Sequence, residues 1–127
     1  MTSKKHTILL VDDDPDILQL ISYNLEREGY KVVCAKDGEE AVAKTKQHYP
    51  SLILLDVMMP NMDGMDVAKQ IKANPKLTEI KLIAYTADAM SAQMSQLKSS
   101  GFDDVLLKPL HREGLFKVLA LSDISHF

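Results

Sequence analysis

Residues 8–18 read ILLVDDDPDIL: a four-residue apolar run, three consecutive carboxylates, a proline, and then apolar residues again. The first half has the look of a buried strand and the second half of a helix start. Asp14 is a good N-cap, and Pro15 suits the first helical position, where no amide hydrogen is needed. Capping accounts for Asp14 but leaves Asp12 and Asp13 unexplained. Two unit charges about 4 Å apart repel by roughly 4 kcal/mol at an effective dielectric of about 20. Carboxylates crowded at the end of a buried strand therefore call for a cation.

The same strand-then-helix unit recurs along the chain. Five apolar runs stand out: TILLV (7–11), KVVCA (31–35), LILL (52–55), KLIAY (81–85) and VLL (105–107). They are nearly continuous rather than alternating, which predicts inner strands covered on both faces. Between and after them, apolar residues recur at helical spacing: Ile17, Leu20, Ile21 and Leu25; Ala41, Val42 and Thr45; Val67, Ala68 and Ile71; Met90, Met94 and Leu97; Leu115, Val118 and Leu119. Gly29 and Gly101 stand where helices should end. Five β-α units predict an α/β domain with a doubly wound, five-stranded parallel sheet, right-handed crossovers and helices on both faces. At 127 residues one such domain accommodates the chain.

Bulk properties exclude several classes of function. The net charge is -3 and the basic residues are scattered, which argues against direct nucleic-acid binding. Cys34 is the only cysteine, so no internal disulfide forms; it reads as strand filling and suits a reducing cytoplasm. No apolar run approaches the ~20 residues of a membrane span, and the start MTSKKH lacks a signal peptide's apolar segment, so a cytoplasmic protein is expected. His6, His48, His111 and His126 show no ligand-like spacing. Met58, Met59, Met62 and Met65 read as loop packing.

In open α/β sheets, ligands bind beyond the carboxyl ends of the strands. Asp12 and Asp13 follow the first strand, Asp56 the third, Thr86 the fourth, and Lys108 with Pro109 the fifth. Oxygen ligands of this kind suit Mg²⁺, which takes one or two carboxylates and keeps several waters. Asp56 could then be a nucleophile forming an aspartyl phosphate, or a third metal ligand. Phosphoryl transfer needs in-line positioning and cations on the equatorial oxygens, which Mg²⁺ and Lys108 would supply, with a hydrogen bond from Thr86.

VDDD (11–14), LLDVMMPNMDG (54–64), YTA (85–87) and LLKP (106–109) together closely resemble the receiver domain of two-component response regulators, the phosphoacceptor module of bacterial signalling. The likeness runs from Thr7 to about Leu121, so it implies a single receiver domain over 1–127 with its core at about 7–121. It also implies the flavodoxin-like strand order 2-1-3-4-5, a Mg²⁺ cofactor, and Asp56 as phosphoacceptor. Asp13 resembles the direct metal ligand, Asp12 the ligand acting largely through water, and Met58 the residue whose backbone carbonyl binds the metal. Thr86 matches the switch hydroxyl, Ala87 the small residue that leaves access to the phosphate site, and Lys108 the phosphate-contacting lysine, followed by a cis bond to Pro109. Met58 and Asp88 match the two variable positions linked to phosphoryl lifetime.

By the same resemblance, the partners are a histidine kinase or histidine phosphotransfer protein and a downstream protein bound at the face of helix 4, strand 5 and helix 5. Catalysis is limited to the domain's own phosphorylation and dephosphorylation. Val105 departs from the family, which commonly has Tyr or Phe there, so the usual inward turn of an aromatic ring does not apply unchanged. The short stretch after the fifth helix leaves no room for a DNA-binding effector, so either a free-standing receiver that signals by protein contact or a receiver cut from a longer regulator or hybrid kinase is expected. Two rival readings remain. One is a haloacid-dehalogenase-type phosphatase using Asp12 and Asp14, against which Pro15 counts; the other is a docking module independent of phosphorylation, against which the complete acid set counts.

Overall fold

The structure, a computed structural model, describes residues 6–57, 59, 64–86, 91–108 and 114. Strands and helices alternate: β1 (Thr7–Val11), α1 (Pro15–Arg27), β2 (Lys31–Ala35), α2 (Gly38–His48), β3 (Leu52–Asp56), α3 (Gly64–Ala73), β4 (Lys81–Thr86), α4 (Ser91–Ser99) and β5 (Asp104–Leu107). All pairings are parallel, in the order β2-β1-β3-β4-β5. This is the doubly wound α/β fold that the alternating pattern predicts, with the strand order the resemblance implies. The apolar spacing at Leu115, Val118 and Leu119 lies outside the described residues.

Alternation along each strand divides the core between the two faces of the sheet. Leu9, Val11, Ile53, Leu55, Leu82 and Ala84 face α2, α3 and α4, where Ala41, Val67, Ala68, Ile71 and Leu97 complete one cluster. Ile8, Leu10, Leu52, Leu54, Ile83 and Tyr85 line the other, against Ile21 and Leu25 of α1. Central β3 is buried along its whole length.

Two expectations need correction. The strands are not all inner ones: β2 and β5 are the edges of this sheet. Val32, Val33 and Cys34 are accordingly only half-buried, and Leu107 is exposed. On α1, Leu20 is also exposed, and the stripe against the sheet is Ile21 and Leu25, both buried, with Ile17 and Leu18 half-buried beside them. At about 100° per residue, Ile17, Leu18, Ile21 and Leu25 fall within one arc of about 100°, and Leu20 lies outside it.

Helix ends follow local chemistry. The Asp14 side chain accepts from the Asp16 amide at 2.9 Å, capping α1 as expected. Gly29 and Gly101 adopt positive φ, 98° and 114°. Each closes a Schellman motif: Tyr30 N–H donates to Leu25 C=O and Phe102 N–H to Leu97 C=O, both at 3.2 Å. A Cβ on Gly101 would also lie 2.8 Å from Lys72 Cγ, whose ammonium is held by the Ile80 carbonyl and Asp103. Gly101→Ala is therefore expected to destabilise the domain by about 2 kcal/mol, measured by urea unfolding, through left-handed strain and this close approach. No described helix is long and apolar enough to cross a membrane.

Candidate functional site

Strand register assembles the site. Val11 pairs with Leu55 and Asp56 with Tyr85, so the next step along β1 sets Asp12 beside Asp56. The Asp12 amide still donates to Ala35 C=O at 3.1 Å, extending β1 by one residue. In parallel strands, paired residues share a face, so Asp12, Asp56 and Tyr85 form one lateral row at the carboxyl edge. Asp12 and Asp56 are buried, at 4% and 3% exposure, whereas Asp13 is exposed.

Lys108 follows β5, and its amide donates to Thr86 C=O at 2.8 Å, fixing where the side chain starts. From there Nζ donates to Asp56 Oδ2 at 2.8 Å. The ammonium also lies 4.9 Å from the centroid of the Tyr85 ring. Burial alone would lower the Lys108 pKa, but the hydrogen bond and charge of Asp56, then Asp12 and Tyr85, outweigh it and hold it above its ordinary value. Thr86, the last residue of β4, is fully buried.

One ammonium does not offset all the negative charge. Burial raises the Asp12 pKa to about 6; the Asp14 amide hydrogen bond opposes this, Asp56 and Asp13 add to it, and Lys108 lowers it. Oδ1 of Asp12 accepts from the Asp14 amide at 2.9 Å, while Oδ2 is buried with no hydrogen-bond partner among the described residues. Asp12, Asp13 and Asp56 each offer a carboxylate oxygen, all within 4.8 Å of one another. Two oxygens on one octahedral Mg²⁺ stand about 3 to 4 Å apart. An orphaned buried oxygen in such a set fits that ion, with room for one carboxylate to act through water.

Asp12, Asp13, Asp56, Thr86 and Lys108 thus gather at one edge of the sheet. Met58, Ala87, Asp88 and Pro109 lie outside the described residues. Asp14 points away in function: its side chain caps α1, which weakens the phosphatase reading built on Asp12 and Asp14. Sequence reading missed the Tyr85 ring beneath Lys108. The signal was present in the pairing register, which apolar patterning alone does not reveal.

Residues 8–120 match the response regulator receiver domain as a family. Among curated relatives, the alkaline phosphatase synthesis transcriptional regulatory protein PhoP of Bacillus subtilis is 40% identical over 102 residues, covering 80% of this chain and 42% of PhoP. The chain spans less than half the length of that relative. Among solved structures, chemotaxis protein CheY4 of Vibrio cholerae superposes with a TM-score of 0.87 at 31% identity, covering 92% of this chain and 98% of CheY4. The receiver domain of sensor histidine kinase PA1611 from Pseudomonas aeruginosa superposes with a TM-score of 0.81 at 31% identity, covering 91% of this chain and 95% of that one. That structure holds a magnesium ion coordinated in its active site cleft.

Proposed function

The chain belongs to the response regulator receiver domain family of two-component signalling, and on that footing we propose that Asp56 accepts a phosphoryl group from a histidine kinase or histidine phosphotransfer protein in the cytoplasm. The observation that carries this reading is a buried Asp56 held 2.8 Å from Lys108 inside a cluster of three carboxylates. An Asp56 carboxylate oxygen attacks phosphorus, the P–N bond to the donor imidazole breaks, and its electron pair leaves with the imidazole, which takes up a proton. The product is an acyl phosphate. Water later attacks the same phosphorus, the bond to the Asp56 oxygen breaks, and inorganic phosphate departs.

Lys108 already donates to the Asp56 carboxylate, so its ammonium can follow the charge onto the phosphoryl oxygens. Thr86, at the end of the neighbouring strand, is the hydroxyl donor to the same group. Asp12, Asp13 and Asp56 would hold Mg²⁺, with the Met58 carbonyl and Ala87 in the roles the resemblance gives them. When bound, the ion neutralises charge on the equatorial oxygens.

The output is a change in partner binding at the face of α4 and β5, with the fifth helix in the part the resemblance gives it. Moving such an equilibrium from 1:99 to 99:1 takes about 5.5 kcal/mol of differential stabilisation, for which the new contacts to Thr86 and Lys108 are the source. Val105 is buried among the apolar residues on the α2–α4 side, so an aromatic rotation at that position does not carry the signal. Movement of α4 and β5 takes its place. We treat residues 1–127 as a single receiver unit.

Intact-mass spectrometry tests the reading. With acetyl phosphate and Mg²⁺, the chain is expected to gain the mass of one phosphoryl group, and to gain nothing when a chelator is present. Equal spectra with and without donor would overturn it.

A further inference from the structure

We propose that Tyr85 is a positioning residue for this phosphoryl chemistry, its ring face holding the Lys108 ammonium beside the Asp56 carboxylate. The proposal rests on the function assigned to Asp56 and Lys108 above. Register pairs Asp56 with Tyr85, and parallel pairing puts both side chains on the same face of the sheet. Tyr85 is buried, packed with Leu10, Leu54, Ile83 and Leu106, so the orientation of its ring is set by the core rather than by the lysine.

Lys108 differs. Its backbone is anchored to Thr86, but its four-carbon stem is flexible and its side chain is 27% exposed. Among the described residues, two contacts restrain the ammonium: Asp56 Oδ2 at 2.8 Å and the Tyr85 ring, 4.9 Å to the centroid. Only the first changes when Asp56 becomes an acyl phosphate. The ring face keeps the cation in the site while charge passes to the phosphoryl oxygens, and a partly desolvated cation gains most from such a face. An aliphatic side chain would fill the same space without offering the ammonium a ring face.

The experiment compares native protein with Tyr85→Phe, which keeps the ring and deletes the hydroxyl, and with Tyr85→Leu and Tyr85→Met, two ring-free apolar replacements. Two readouts are taken on variants whose heteronuclear NMR spectra show the native fold. The first is the rate of phosphorylation by acetyl phosphate. The second, in unphosphorylated protein, is the ring-current displacement of the Lys108 ε-methylene resonances, which needs no phosphoryl transfer. Tyr85→Phe is expected within about twofold of native and with the displacement intact. The ring-free variants are expected to lose the displacement and to slow by about tenfold, within the range a desolvated cation-π contact supports. Native rates in the ring-free variants would overturn the proposal, as would a Tyr85→Phe variant as slow as they are. If native protein takes no phosphoryl group, the function assigned to Asp56 fails, and the ε-methylene displacement alone decides whether Tyr85 positions Lys108.

Discussion

Asp56→Asn is expected to abolish donor-dependent phosphorylation outright, to below detection by intact mass, while leaving the fold intact. Among the described residues, Asp56 is the buried carboxylate that Lys108 holds, and its oxygen is the one proposed to attack phosphorus. An amide of the same shape is neutral at its oxygen and a poor nucleophile. The replacement retains the packing of a side chain only 3% exposed, and the amide oxygen can still accept from Lys108 Nζ, now 2.8 Å from Oδ2. It also removes one of the charges that crowd Asp12, so thermal stability should be unchanged or higher. Lys108→Ala and Thr86→Ala leave the nucleophile in place; slowing by about 100-fold for the lysine follows from losing one preorganised stabiliser of developing charge. A mass gain that persists in Asp56→Asn would move the acceptor elsewhere, exposed Asp13 being the first place to look, and would sink the assignment.

The parts of the site that were legible beforehand share a physical reason. Asp12, Asp13, Asp56, Thr86 and Lys108 each come directly after an apolar run, and a parallel sheet delivers every such position to one edge. Burial along β2 and β5 was not legible, because it depends on where crossovers place a strand in the sheet, not on the strand's own composition. KVVCA is as apolar as an inner strand, yet as an edge it is covered only in part. Leu20 fits an i, i+3 count from Ile17, but the stripe that meets the sheet is centred nearer Ile21, and only packing reveals that centre. The Tyr85–Lys108 contact and the orphaned Asp12 oxygen were hidden for a third reason. Both depend on lateral register between strands far apart in sequence, which a one-dimensional pattern does not encode.

In metal-free buffer the domain should be more stable near pH 5 than at pH 8, and Asp12→Asn should remove most of that slope. Burial lifts the Asp12 pKa from 3.8 to about 6 in the folded chain. Between those values the folded state binds more protons than the unfolded state, so stability falls as pH rises through about 4 to 6 and levels off above that. The full separation corresponds to about 3 kcal/mol, of which the part between pH 5 and pH 8 is about 1.4 kcal/mol, or roughly 5 °C in melting temperature for a domain of this size. Lys108, whose pKa is raised from an already high value, contributes nothing to the slope in this window. Asn at position 12 keeps an acceptor for the Asp14 amide and places a donor where Oδ2 now has no partner among the described residues. It should therefore exceed native stability at both pH values, by roughly 1 to 2 kcal/mol at pH 5 and by about 3 kcal/mol at pH 8. Mg²⁺ should reverse the order: it stabilises the native chain increasingly from pH 5 to pH 8 as Asp12 ionises, and has little effect on Asp12→Asn. Melting curves with and without Mg²⁺ at the two pH values give all four comparisons. A native chain whose metal-free stability rises from pH 5 to pH 8, or an Asp12→Asn variant stabilised by Mg²⁺ as strongly as native, would contradict the account of Asp12 as a buried carboxylate awaiting a cation.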